Sequence, residues 1–205
     1  MRISSAAFAA ALATAILTTV PLEAQEPPDL RRLAVSVAAG AMKPLESGVR
    51  DLYSGVFVPV TVEADVRLTK RFFVFASGQF LSQDGEVVFD IPPAPVERFP
   101  LKLNVTSLRF GVGAWFPRGH WVVGAAGGVS HTRYKERWMD AEVPAATGSV
   151  VGLLGQGAVE YRLTKCISGV GRVEYAYVPL DETRQLVPTF DLSGVSVSGG
   201  LLVRF

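Results

Sequence analysis

The chain runs to Phe205 through GVSVSGGLLVRF, residues 194–205. Taken at every second position, Val195, Val197, Gly199, Leu201, Val203 and Phe205 form one set, and Gly194, Ser196, Ser198, Gly200, Leu202 and Arg204 form the other. A step of two is the signature of a strand, whose successive side chains point to opposite faces. One face of this strand is therefore apolar through to its closing aromatic, while the other is small or polar and carries an arginine.

The same design recurs upstream. RLAVSVAAGA places Leu33, Val35, Val37, Ala39 and Ala41 together, and VFVPVTVEADVRL, from Val56, sets Val56, Val58, Val60, Val62, Ala64 and Val66 against Phe57, Thr61, Glu63, Asp65 and Arg67. RFFVFASGQF, LNVTSLRFGVGAWF, WVVGAAGGVSH, SVVGLLGQGAVEYRL and ISGVGRVEYAYV follow the same period. With the closing segment this predicts about eight strands. Their connectors alternate in size. Tight turns follow Arg67, Phe116 and Leu163, whereas residues 43–55, 83–102, 132–148 and 179–190 read as long, polar, proline-bearing loops. In an up-and-down meander that alternation places all long loops at one end, and the short turns with both termini at the other.

The opening MRISSAAFAAALATAILTTV, with Arg2 ahead of an apolar run, reads as a signal peptide covering residues 1–24, with Leu22 and Ala24 at the cleavage site. Residues 25–32 are expected to be a linker and residues 33–205 one domain. The balance of 20 Lys and Arg against 19 Asp and Glu gives no basis for a nucleic-acid partner. The only cysteine, Cys166, has no intrachain partner for a disulfide.

What the polar faces are made of decides which face is inside. They hold mostly Gly, Ser, Ala and Thr, punctuated by Glu63, Asp65, Arg67, Arg109, Glu160, Arg162, Arg172, Glu174 and Arg204. Small residues suit the narrow bore of an eight-stranded barrel, and opposite charges confined there are expected to pair. All five lysines, Lys43, Lys70, Lys102, Lys135 and Lys165, fall outside the strands as read here. A bilayer selects for such an empty apolar face, because a charge at its midplane costs roughly 2–4 kcal/mol. Phe72, Phe116, Trp121, Tyr161 and Phe205 near the short turns, with Phe80 and Tyr177 near the long loops, form two candidate interfacial girdles.

These segments resemble the small outer-membrane β-barrels of Gram-negative-type bacteria, of the OmpA-domain and OmpX kind. The resemblance covers the chain from about Leu33, and its most specific element is VSVSGGLLVRF with Phe205. It implies an all-β, eight-stranded antiparallel up-and-down transmembrane barrel in the outer membrane, both termini periplasmic, with Phe205 read by the outer-membrane assembly machinery. The function expected is that of a non-enzymatic anchor, monomeric and without cofactor, whose loops meet envelope lipid or an external partner. In HTRYKERWMDAEVP, Arg133, Tyr134, Lys135, Arg137 and Trp138 are the candidate rim residues for lipopolysaccharide phosphates and acyl chains.

Two alternatives stand beside this. A lipid A-modifying enzyme of the same fold would use His131 with Ser130, Glu136 or Asp140. The deacylase arrangement, however, has Ser two residues after His where this chain has Arg133, and adjacent strand residues point apart. A secreted lipocalin-like barrel would also alternate, with its polarity reversed. His120 has no neighbouring ligands in the sequence, so no metal site is legible.

Overall fold

In the computed structural model, residues 32–53, 56–89, 97–139, 144–179 and 192–205 are described; residues 1–31, with the leader and most of the linker, lie outside them. Eight strands form a closed antiparallel barrel in sequential order. They are β1 (Leu33–Pro44), β2 (Val60–Arg67), β3 (Phe72–Phe89), β4 (Glu97–Arg118), β5 (Trp121–Trp138), β6 (Ala146–Arg162), β7 (Ile167–Tyr177) and β8 (Gly194–Arg204), with one short helix, α1 (Ser47–Leu52), between β1 and β2. The segment that decided the fold closes the ring: β8 pairs with β1 from Ala34↔Arg204 to Pro44↔Gly194, and Phe205 N–H donates to the Leu33 carbonyl at 2.9 Å.

Strand ends differ from the sequence reading. Most of residues 83–102 is strand, since β3 continues to Phe89 and β4 begins at Glu97. Likewise β5 runs on to Trp138 and β6 starts at Ala146, so residues 132–148 are chiefly a hairpin rather than a loop. Lys43, Lys102 and Lys135 are accordingly strand residues. In the opposite direction, β2 starts at Val60 instead of Val56. Pro59 has no N–H to continue the ladder, and Phe57 makes only an isolated bridge to Met42.

The wall is therefore lopsided. β4 has 22 residues and β2 only 8, where about 9–11 residues of tilted strand cross a bilayer. Strands β3 to β6 rise well past that height on one side. The space they enclose is filled by the chain between β1 and β2: Val49 of α1, Tyr53 and Phe57 are fully buried against Leu81, Leu101, Leu103, Val105 and Tyr134.

Lower in the bore, three aromatic side chains lie inward among the small residues. Phe73 and Trp115 stack with centroids 4.8 Å apart, and Phe75 lies beside Phe73. Glycines on the neighbouring strands make room for them. A Cβ on Gly113 would come within 2.3 Å of the Phe73 ring, and one on Gly124 within 2.1 Å of the Trp115 indole. Gly113→Ala and Gly124→Ala are each expected to destabilise the folded barrel by about 1–3 kcal/mol through overpacking, read as a lower urea midpoint in micelles. Gly157→Ala, where the added methyl meets nothing, should be close to neutral.

Candidate functional site

Among the described residues, three buried ion pairs link strands inside the bore below the plug. Nearest the short turns, Arg204 of β8 pairs with Glu160 of β6 and donates to Ser168 Oγ at 3.2 Å. At mid-height Arg172 of β7 donates to Glu63 Oε1 of β2 at 2.7 Å and to Ser36 Oγ at 2.8 Å. Above it Arg109 of β4 donates to Glu174 Oε2 of β7 at 2.8 Å and also to Gln79. Each pair joins strands that are not neighbours in the sheet: the Arg204 pair reaches over β7, and the other two span three positions around the ring. Asp65 is buried in the same bore, and Arg67 and Arg162 are half-buried at its turn end. With the aromatic layer, these side chains fill the lumen.

Outside, the polarity is reversed. Val37, Val62, Phe110, Val112, Val129, Leu153, Val173, Val197 and Leu201 are all largely exposed. A contiguous apolar belt of this extent is what marks a lipid contact surface. Of the expected girdle residues, Phe72, Trp121, Tyr161 and Phe205 lie exposed at the turn end, with Phe116 half-buried; Phe80 and Tyr177 are exposed at the far edge of the belt. On the belt face of β4, eight residue steps separate Phe116 from Leu108, which is roughly 20 Å along the normal for a tilted strand.

Past that edge the period of two persists and its polarity flips. On β4 the outward series changes from Phe110 and Leu108 to Thr106, Asn104 and Lys102, while the inward one changes from Arg109 and Ser107 to Val105, Leu103 and Leu101. β3 changes at the same level, from outward Phe80 to Ser82, Asp84 and Glu86, and β5 from outward Val129 to Arg133, Lys135 and Arg137. The register aligns these changes, with Phe80↔Thr106 and Thr106↔Arg133 as partners. The flip marks the level where the surroundings of the wall turn from hydrocarbon to water.

The five candidate rim residues therefore do not share one loop. Arg133, Lys135 and Arg137 form an outward stripe on β5, whereas Tyr134 is buried and Trp138 faces inward beside the plug. Across the sheet the stripe meets Thr106, Asn104 and Lys102 on β4, and Ser149 and Thr147 opposite Arg133 and Lys135 on β6. No carboxylate is among these partners. On β3, Asp84 and Glu86 are engaged by Lys102 at 3.6 Å and Arg98 at 3.4 Å.

Inside the upper chamber, the Tyr53 hydroxyl faces the Glu136 carboxylate. Burial, reinforced by the Glu136 charge, pushes the Tyr53 phenol far above its ordinary range. Burial likewise raises Glu136, with the Tyr53 hydrogen bond pulling the other way. Both groups thus favour their uncharged forms, which suits an apolar plug.

No protein-family model and no curated protein sequence matches the chain. Solved structures do. Neisserial surface protein A (NspA) superposes with a TM-score of 0.60 at 15% identity, over 84% of this chain and 97% of its own. OprG of Pseudomonas aeruginosa gives 0.62 at 10% identity, over 85% of this chain and 96% of its own. Ail of Yersinia pestis, solved with the heparin analogue sucrose octasulfate, gives 0.53 at 13% identity, over 85% and 97%. The fold is that of a small outer-membrane β-barrel. At such identities the likeness is one of architecture.

Ser130 and His131, the pair the hydrolase reading needs, are held apart by the strand. Ser130 is buried in the lumen opposite Arg109, while His131 faces outward opposite Leu108. Asp140 lies outside the described residues. Among the described residues no group of three His, Cys, Asp or Glu side chains is placed to hold a metal.

Arg172→Met leaves Glu63 buried without its cation, and is expected to cost about 3–5 kcal/mol of barrel stability. Replacing both partners, as Arg172→Met with Glu63→Gln, should recover a large part of that loss. Urea midpoints of the two variants in the same micelle check it.

Proposed function

We propose that this chain is an integral outer-membrane barrel that acts without catalysis, as an envelope anchor and scaffold for the wall it raises outside the cell. The observation carrying this reading is the polarity flip: apolar residues face out and ions face in over one bilayer-sized band, and the order reverses above it on three adjacent strands. A water-soluble barrel has no reason to change sign at one level. A bilayer imposes that change, since hydrocarbon accepts only closed backbone hydrogen bonding and an apolar exterior.

In this reading the three short turns and both termini are periplasmic, and the tall β3–β6 wall with its plug is extracellular. β8, with Phe205, is the segment the assembly machinery engages. Closure removes free strand edges from the belt, so no second copy is recruited by strand addition, in keeping with a monomer as the working unit. The outward stripe of Arg133, Lys135 and Arg137 lies just above the belt, level with lipid headgroups. Guanidinium and ammonium donors there suit the phosphates of lipopolysaccharide in the outer leaflet.

Two experiments test this. The protein should fractionate with the outer membrane and run as a heat-modifiable band on a gel. Its native Cys166, exposed in the β6–β7 turn, should resist a bulky maleimide in intact cells and react once the outer membrane is permeabilised. Labelling in intact cells would reverse the orientation, and release by osmotic shock without detergent would remove the protein from the membrane altogether. For the stripe, Arg133→Gln, Lys135→Gln and Arg137→Gln together should lower the lipopolysaccharide co-purifying with the barrel several-fold, while its unfolding midpoint stays within about 0.5 kcal/mol of wild type, as for surface changes.

A further inference from the structure

The opposite end of the barrel carries a charge pattern that neither anchoring nor the outer stripe uses. Two of its three turns are copies of one design. In Leu68-Thr69-Lys70-Arg71 the Thr69 Oγ1 accepts from the N–H groups of Arg71 and Phe72 at 3.2 and 3.0 Å, and the N–H groups of Leu68 and Thr69 donate to the Phe72 carbonyl at 2.9 and 3.2 Å. In Leu163-Thr164-Lys165-Cys166 the Thr164 Oγ1 accepts from Cys166 and Ile167 at 3.2 and 3.0 Å, and Leu163 and Thr164 donate to the Ile167 carbonyl at 3.0 Å each. The threonine clamp therefore holds Lys70 and Lys165 at the same position of equivalent turns. The third turn, between β4 and β5, pivots on Gly119 at φ 59° and presents Arg118 and His120.

All of these side chains are exposed, as is Arg32 just before β1. No Asp or Glu occurs in residues 68–71, 118–120 or 163–166. Among the described side chains, the carboxylates nearest this end, Asp65 and Glu160, are turned into the bore. Among the described residues, Lys70, Arg71 and Arg118 have no carboxylate partner. Every corner at the turn end thus bears at least one basic residue. Immediately above this ring sit Phe72, Trp121 and Tyr161, the last two with rings 4.7 Å apart, and beside it the exposed Leu68 and Leu163.

We propose that this ring binds the anionic headgroups of glycerophospholipids in the leaflet at the turn end, selecting them over zwitterionic ones and holding that end in place. The inference rests on the membrane reading above. A single docked protein would be met by a patch on one side. Cations at all four corners, under an aromatic girdle and flanked by leucines, fit instead a medium that surrounds the barrel. Long basic side chains reach phosphate from such positions while their stems stay against apolar surface.

The test uses the full chain refolded into phosphatidylcholine vesicles containing phosphatidylglycerol. Either lipid is brominated in turn, at equal mole fraction, and the quenched fluorescence is that lost in Trp121→Phe. Brominated phosphatidylglycerol should quench Trp121 about fivefold more than brominated phosphatidylcholine does, the effect of one engaged cation. High salt, or Lys70→Gln with Arg71→Gln, Arg118→Gln and Lys165→Gln, should abolish the difference. If the fourfold variant fails to refold, Lys70→Gln with Lys165→Gln, confined to turn tips, should halve the preference or better. Equal quenching in wild type overturns the inference and leaves the barrel intact. A preference that survives in the variants overturns it too, since these cations then do not supply it. Failure to form a heat-modifiable band, with no quenching by either lipid, instead sinks the membrane reading.

Discussion

Hydrocarbon offers a peptide group no partner, so a chain crossing it as strands must return to its own beginning. The ladder between β1 and β8 meets that requirement, with eleven paired positions from Ala34↔Arg204 to Pro44↔Gly194. Once the ring is closed the rest of the architecture is constrained. Alternate residues must face lipid or a bore just wide enough for side chains to fill. The bore-facing residues must then satisfy one another.

They do so in two chemistries on two sides. Charge pairs run between β2, β4, β6, β7 and β8, while Phe73, Phe75 and Trp115 stack against the β3–β5 wall. Each ion pair is costly to bury and costly to break, because removing one partner strands the other in a place of low dielectric. Their placement makes them braces between strands that share no ladder. The aromatic layer uses the other resource of the sequence, glycine, as a recess: Gly113 and Gly124 are shaped by the rings lying over them.

The strand number, the closure and the direction of each face were legible because one rule, alternation, governs every residue in the belt. Strand ends were not legible for the same reason. Above the belt Ser82, Asp84 and Glu86, or Arg133, Lys135 and Arg137, face water, and their charge reads as loop composition. The signal was nevertheless present in LKLNV, where Leu101, Leu103 and Val105 keep the period with the opposite sense. Tyr134 and Trp138 look like companions of the neighbouring cations only until the parity of their positions is applied. The seating of Tyr53 and Phe57 had no local signature at all. It depends on the cup that four other strands build, which is a tertiary fact.

The unequal wall gives the molecule a front and a back. Among the described residues, strands β7, β8, β1 and β2 end near the edge of the belt, whereas β3 to β6 stand above it as a screen. The inner face of that screen is apolar and rests on Val49, Tyr53 and Phe57, so its height above the bilayer is held by packing as well as by the ladder.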